Sequence, residues 1–294
     1  MSQPIVVGVD GSSQSLDAVD LAVREAAMRD LPLRVVSAFT RPDLGVPGVR
    51  AAYPPEADVR LEAERIVREA MGRAAANAPA LDVGGDAVEG PPATTLIDQS
   101  RAAALVVVGN RGLGGFKGLL VGSVAVELTA HAGCPVLVAR GRASPSGDVL
   151  AGVDGSPLSD MAVRFAFEEA ALRGSDLTAV YAWTMPARVV PVVGTPSVDC
   201  ASEVEAAHEH VLSKAISNWR DAYPAVPVRG RLVHTGARQA LLKAAEEAQL
   251  VVVGSRGRGG FAGLLLGSVS QAMLHHATCP VAIVRDTQIP GRSS

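Results

Sequence analysis

Short, almost unbroken apolar runs alternate along the chain with longer segments in which apolar residues recur every three or four positions. The first run, Ile5 to Val9, is rich in β-branched residues, which is typical of a strand buried on both faces. The segment after it places Leu16, Val19 and Val23 on one side of a helix. Strands that alternate with helices in this way imply right-handed crossovers and a parallel sheet.

The same alternation continues through the first 140 residues. Further strands are predicted at Leu33 to Phe39, Leu81 to Val88, Leu105 to Val108 and Pro135 to Arg140. Further helices are predicted at Glu56 to Asn77, Thr94 to Arg101 and Ser123 to His131. Two proline-rich segments, Thr40 to Pro55 and Pro186 to Pro196, are interpreted as surface loops.

This pattern occurs twice. A shift of 144 positions lays IVVGVDGS on VLAGVDGS, and a shift of 145 lays Leu105 to Ser123 on Leu250 to Ser268 with 15 of 19 residues identical. The sequence therefore predicts two homologous α/β domains, residues 1–141 and 148–287, each with a five-stranded parallel sheet of Rossmann-like type. The Gly, Ser and Pro content of Gly141 to Gly147 suits a flexible linker between them.

Composition narrows the class of function. The net charge of -3 argues against a general nucleic-acid binder, which needs a surplus of Lys and Arg to displace counterions. The apolar runs are too short to cross a bilayer, and the first residues lack the basic and apolar regions of a leader. Three cysteines leave one unpaired under any disulfide scheme, which suits a reducing compartment. We therefore expect a cytoplasmic protein with neither nucleic-acid nor membrane partners.

No catalytic or metal-binding constellation is evident in the sequence. The nucleophile elbow G-x-S-x-G of a Ser-His-Asp hydrolase does not occur. His275 and His276 are adjacent and so point in different directions on a helix, while His208 and His210 share no helical face. We therefore predict neither catalytic residues nor a metal cage.

Glycine is concentrated in the segment that follows the fourth strand of each copy. The first such segment is GNRGLGGFKGLLVGS, Gly109 to Ser123, and its counterpart begins at Gly254. Glycine removes the Cβ that would keep a ligand from the backbone amides, and the next helix adds free N–H groups at its start. The segment therefore predicts an anion-binding loop at the carboxyl edge of the sheet. The alternatives are a tight turn with only a structural role, or a fragment of an RNA-binding tract, for which RGRGG is too short and too apolar in its surroundings.

Two widespread phosphate-binding loops are excluded by counting. G-x-x-x-x-G-K-[ST] is absent, because Lys117 follows Phe116 rather than a glycine. G-x-G-x-x-G fails because the residues three positions beyond Gly114 and Gly259 are Lys117 and Ala262. The spacing that is present, in both copies, is G-x2-G-x9-G-S.

With this spacing the sequence resembles the universal stress protein family, in which G-x2-G-x9-G-[ST] marks the members that bind ATP. The resemblance extends over most of each half, and the tandem arrangement looks most like that of actinobacterial members. It implies one ATP, with Mg²⁺, in each domain. It also implies a regulatory binding module of a stress response, rather than an enzyme, whose protein partners the sequence does not name.

The resemblance also assigns positions of this sequence to parts of the nucleotide. The residues expected around adenosine are Gly8, Asp10 and Ala38 in the first copy and Gly152, Asp154 and Ala182 in the second. A carboxylate suits ribose hydroxyls or an exocyclic amine, and the small residues leave room for the base. Those expected along the loop, around the ribose and phosphates, are Gly109, Arg111, Gly112, Gly114, Gly115, Gly122, Ser123 and Val124, with the counterparts Gly254, Arg256, Gly257, Gly259, Gly260, Gly267, Ser268 and Val269.

Some roles stay open from the sequence. Arg111 and Arg256 either donate charge-assisted hydrogen bonds to phosphate or remain solvated. Ser268 with Gln271 matches a capping box, and capping is compatible with phosphate contact. For the whole chain, the rival to a binding module is a slow ATPase or nucleotidyl-transfer enzyme on the same scaffold. A third possibility is a scaffold whose pockets are vestigial. No water-activating residue is evident beside the expected γ-phosphate, so any hydrolysis is expected to be slow.

Self-association is expected from the last strand of each copy. PVLVAR and PVAIVR are apolar, and an unpaired edge of this kind invites pairing with another strand. Family members associate through this strand, so the resemblance implies that the two halves pack as a pseudo-dimer within the chain. Two chains are then expected to assemble further, into a homo-oligomer such as a dimer.

Overall fold

The computed structural model describes residues 3–40, 56–114, 120–185, 198–259 and 265–286. The described residues form two compact units, one ending at Arg140 and the other running from Gly141 to Asp286. In each unit the strands alternate with helices and pair in parallel, so the predicted α/β class with two parallel-sheet domains is confirmed.

The first unit contains, in chain order, β1 (Ile5–Gly8), α1 (Ser13–Arg29), β2 (Leu33–Phe39), α2 (Glu56–Asn77), β3 (Val83–Glu89), α3 (Pro92–Ser100), β4 (Leu105–Gly109), α4 (Ser123–His131) and β5 (Val136–Ala139). The spatial order of its strands is β3-β2-β1-β4-β5. β1 therefore lies between β2 and β4 and pairs with both in parallel.

The second unit repeats this arrangement. Its elements are β6 (Val149–Val153), α5 (Pro157–Arg173), β7 (Leu177–Trp183), α6 (Val198–Arg220), β8 (Val228–His234), α7 (Ala237–Ala244), β9 (Leu250–Gly254), α8 (Ser268–His276) and β10 (Val281–Val284). The strand order β8-β7-β6-β9-β10 matches that of the first unit, with β6 in the place of β1.

The central strands are apolar because both faces of the sheet are covered. All four residues of β1 are buried, as are the first four of β4 and of β9. α1 and α5 are each preceded by an N-cap serine whose hydroxyl accepts a hydrogen bond from the backbone, Ser12 from the amide of Ser15 and Ser156 from that of Ser159. These two helices pack on the central strands and fix the chain just after β1 and β6.

The segment predicted as a flexible linker, Gly141 to Gly147, belongs to the second unit and is hydrogen-bonded to it. The amide of Arg142 donates to the carbonyl of Thr278 at 2.8 Å, and Gln249 Nε2 donates to the carbonyl of Gly147 at 2.7 Å. A Cβ on Gly141 would overlap the Thr278 carbonyl, and Gly141 has a φ of 56°. Glycine is used here for close packing, a role that composition does not distinguish from flexibility.

Among the residues that the structure describes, no helix has the length and apolar character needed to cross a membrane. Of the proline-rich segments predicted as surface loops, residues 41–55 and 186–196 lie outside the described residues.

Candidate nucleotide site

The candidate site of each unit lies at the carboxyl edge of its sheet. In the first unit Asp10 follows β1, Ala38 lies near the end of β2, and the glycine segment follows β4. These three strands are neighbours and run in parallel, so their carboxyl ends share one edge. The second unit brings Asp154 and Ala182 to the corresponding edge with the segment after β9.

The glycine segment folds back on itself at its base. The amide of Gly122 donates to the carbonyl of Asn110 at 2.8 Å, and in the second unit Gly267 donates to Ser255 at the same distance. These bonds return the chain to the end of the strand before α4 or α8 begins. Gly114 and Gly259 are the last residues described before the interior of each segment, and Gly115 and Gly260 lie outside the described residues.

Two glycines of the first segment and one of the second leave no room for a side chain. A Cβ on Gly109 would lie 2.7 Å from the backbone carbonyl oxygen of Gln14, at the start of α1. A Cβ on Gly112 would overlap Oδ2 of Asp10. The contact between glycine and aspartate recurs in the second unit, where a Cβ on Gly257 would overlap Oδ2 of Asp154. The spacing of the motif therefore reflects close approach of the loop to the residues that follow β1 and β6.

The two aspartates bind the glycine loops directly. Asp10 Oδ2 accepts a hydrogen bond from the amide of Leu113 at 2.7 Å, while Oδ1 accepts from the amide of Ser12 at 3.0 Å and from its hydroxyl at 2.6 Å. Asp154 accepts from the amide of Arg258 at 2.9 Å and from that of Ser156 at 2.9 Å. Sequence reasoning placed both aspartates beside adenosine and missed this contact with the loop.

The helices that follow the loops begin without a side-chain cap. The N-cap residues are Gly122 for α4 and Gly267 for α8, and no side chain accepts a hydrogen bond there. The predicted capping box was wrong, because Ser268 is the first helical residue rather than the N-cap. Ser123 occupies the same place, and both serines are exposed. The first amides of each helix therefore have no capping side chain, an arrangement that suits anion binding.

The glycines of the central strands have a packing reason for their identity. A Cβ on Gly8 would lie 2.7 Å from Leu96 Cδ1, and one on Gly152 would lie 3.1 Å from Leu241 Cδ1. The space beside each of these glycines is thus taken by a leucine of the neighbouring helix. Their expected role in admitting the base stays a prediction.

A family model for the universal stress protein family matches residues 1–140 and 146–285. The two matches together cover nearly the whole chain. The chain belongs to the universal stress protein family.

Relatives of this universal stress protein have the same tandem length. It is 38% identical over 304 aligned residues to a universal stress protein of Mycobacterium tuberculosis strain H37Rv, an alignment that covers 98% of this chain and 100% of the relative. It is 37% identical over 292 residues to one of Mycolicibacterium smegmatis, with 96% of each chain covered. The solved structure of a universal stress protein from Archaeoglobus fulgidus matches with a TM-score of 0.68 at 18% identity and covers 96% of both chains, which shows the fold.

Positive charge is distributed differently over the two loops of this universal stress protein: the first contains Arg111 and Lys117, and the second contains Arg256 and Arg258. The Arg258 guanidinium lies against Gly155, with Nη2 3.2 Å from the position that a Cβ would take. Its counterpart is Leu113, whose side chain is 71% exposed. Beside the second loop, burial and the charge of Arg256 lower the pKa of Arg285. Arg285 Nη1 is buried and has no hydrogen-bond partner in the part of the chain that the structure describes.

The other residues predicted to take part in charge or metal chemistry are exposed or form no metal-binding group among the described residues. Arg111 and Arg256 are both exposed within the loops. Within residues 3–40, 56–114, 120–185, 198–259 and 265–286, no three His, Cys, Asp or Glu side chains are grouped closely enough to hold a metal ion. Of the three cysteines, Cys134 is buried, and burial raises the pKa of its thiol to about 12. A thiol with so high a pKa is not a nucleophile at neutral pH.

Proposed function

We propose that this universal stress protein binds ATP in each unit and acts as a regulatory binding module. The observation that carries the proposal is the repeated cradle formed by a glycine corner and an uncapped helix start, Gly122–Ser123 and Gly267–Ser268. The amides of Gly122 and Gly267 close the base of each loop, whereas the amides that follow them in the first helical turn have no capping side chain, so they are available to an anion. Mg²⁺ would accompany the phosphates of ATP rather than be held by a protein cage.

Electrostatics orients the nucleotide in this proposal. The carboxylate of Asp10 repels phosphate oxygens, whereas the start of α4 attracts them through its free amides and partial positive charge. The triphosphate is therefore placed at Gly122 and Ser123, and adenosine at the ends of β1 and β2. Asp10 has about four acceptor positions, of which three are used by Ser12 and Leu113, so one remains for a ribose hydroxyl.

Binding is proposed rather than catalysis because the polar groups at the site suit holding a nucleotide. Among the residues that the structure describes, Asp10 and Asp154 accept hydrogen bonds from loop amides, and the loop arginines are exposed. The rival is a slow ATPase or a nucleotidyl-transfer enzyme on the same scaffold. Linear formation of ADP or AMP above a boiled control would favour that rival.

Titration calorimetry of the purified full-length chain with Mg²⁺ and ATP tests the proposal. We expect saturable heat with two ATP per chain, because the cradle occurs in both units. Mass spectrometry of nucleotide released from freshly purified, denatured protein provides an independent check of the ligand. Absence of heat together with absence of released adenine nucleotide would contradict ATP binding.

ATP affinity at the second site is expected to depend on Arg258 in a manner that varies with salt. Replacing Arg258 with leucine, the residue of the first site, should lower affinity at the second site by about three- to tenfold at low ionic strength, because an exposed guanidinium attracts anions over a Debye length. Calorimetry at about 0.05 M and about 0.5 M salt checks this, since screening at the higher salt should reduce the difference in ATP affinity between the wild-type chain and the Arg258→Leu variant. The reciprocal Leu113→Arg change should raise affinity at the first site. A loss that is independent of salt would contradict an electrostatic role.

A further inference from the structure

The same bond joins an aspartate to a glycine loop in both units. Asp10 accepts from the amide of Leu113 at 2.7 Å, and Asp154 accepts from that of Arg258 at 2.9 Å. The partners stand 103 and 104 residues apart in sequence, so each bond ties two distant segments together. The flanking side chains differ, leucine in one unit and arginine in the other, while the backbone contact is kept. The contact therefore depends on the carboxylate and the main chain alone.

The aspartates are themselves held in place. Oδ1 of Asp10 accepts from the amide and hydroxyl of Ser12, the N-cap of α1. In the second unit Oδ1 of Asp154 accepts from the amide of Ser156, the N-cap of α5. The other oxygen of each carboxylate is thereby aimed at the loop. A bond from a backbone amide to a carboxylate is roughly twice as strong as one between neutral groups.

This arrangement explains why the second glycine position of the motif, Gly112 or Gly257, is occupied by a residue without a side chain. A Cβ on Gly112 or Gly257 would occupy the position of Oδ2 of the aspartate in its own unit. The requirement arises inside the protein and needs no ligand. The glycine and the aspartate therefore form one structural pair, although they belong to different segments of the sequence.

We propose that Asp10 and Asp154 are positioning residues that hold the outgoing arms of the loops, Gly109 to Gly114 and Gly254 to Gly259, in place for phosphate binding before the nucleotide arrives. The base of each loop is closed at Gly122 or Gly267, and the aspartate fixes its outgoing arm at Leu113 or Arg258. Fixing both points reduces the conformational entropy lost on binding, so it raises affinity without further contact. The effect on affinity rests on the proposed function, whereas the effect on the loop does not.

The test compares loop exchange with ATP affinity in the full-length chain. In Asp10→Asn the side chain keeps its shape, but an amide nitrogen must face one of the N–H donors. Without nucleotide, we expect hydrogen exchange at the Leu113 amide to rise at least about tenfold, while exchange in α1 and β1 is unchanged. ATP affinity at that site should fall about tenfold. Asp154→Asn should do the same at Arg258. Asp17→Asn, an exposed position on α1, is the matched control.

The outcomes separate positioning from direct contact. If ATP affinity falls while loop exchange stays at the wild-type rate, the aspartate acts only by touching the nucleotide and the proposal is wrong. If exchange rises throughout the unit, the role is general stability, which also overturns it. If the wild-type chain binds no ATP but the loop amide alone exchanges faster in the variant, the positioning role stands and only the proposed function fails.

A second pair of variants tests the contact by rescue. Gly112→Ala alone should disturb the loop, because its Cβ needs the space of Asp10 Oδ2. In an Asp10→Ala background that space is free, so adding Gly112→Ala should change Leu113 exchange less than about twofold. Gly257→Ala with Asp154→Ala is the counterpart in the second unit. Additive effects of the two changes would contradict the pairing.

Discussion

Truncation of Phe167 to alanine should lower the free energy of unfolding of the second unit by about 3–5 kcal/mol. Phe167 lies in α5 with no exposed surface, and α5 packs on β6 and β9 at the centre of the sheet. Its ring also stacks on that of Tyr223, with centroids 5.7 Å apart. Removal of the ring leaves a cavity in the core of the second unit. The loss combines the transfer free energy of the ring with the cavity term.

Native-state hydrogen exchange, read peptide by peptide, measures this loss where a single melting curve of a two-domain chain does not. In the Phe167→Ala variant, peptides of β6, α5 and β9 should show the largest increase in exchange rate over the wild-type chain. Val23→Ala is the matched control, since Val23 is the buried counterpart of Phe167 in the first unit and is smaller. That change should cost about 1–3 kcal/mol in its own unit. Equal destabilisation by the two changes would contradict the packing argument.

The sequence predicted the central strands well because they are buried on both faces. β1 and β4 are continuous apolar runs, and each was predicted to within one residue of its observed bounds. β3 was predicted at Leu81 to Val88 and begins instead at Val83, since its alternating exposure leaves a weaker signal. α3 begins at Pro92 rather than Thr94, because Pro91 serves as the N-cap and proline fits the first helical turn.

The loops could be predicted from local spacing, but their attachment to the aspartates could not. G-x2-G-x9-G-S reports a glycine corner before a helix, a local property of the chain. The bond between Asp10 and Leu113 joins residues 103 positions apart, and D-G-S after a strand signals only a local turn. Gly141 shows the same limit, since composition alone does not distinguish a glycine that packs closely from one in a flexible linker.

Replacing Gly109 with alanine should lower ATP affinity at the first site at least about tenfold, whereas Gly254→Ala should lower it at the second site by about threefold or less. A Cβ on Gly109 would lie 2.7 Å from the backbone oxygen of Gln14 and 2.9 Å from its carbonyl carbon. Backbone at the start of α1 cannot move aside as a flexible side chain can. A Cβ on Gly254 would lie 3.2 Å from the carbonyl oxygens of Leu158 and Arg256, which a shift of a few tenths of an ångström relieves.

This difference distinguishes geometry from motif membership, because the two glycines hold the same place in the motif and would be equally sensitive if the motif alone mattered. Calorimetry should show that the Gly109→Ala chain keeps one strong site, while the Gly254→Ala chain keeps two. Gly84→Ala is the control, since Gly84 lies in β3 with open space where a Cβ would be added. Equal losses at both sites would mean that the nucleotide itself needs the space above these glycines. In that case the packing of α1 against the end of β4 would not be the reason that Gly109 tolerates no side chain.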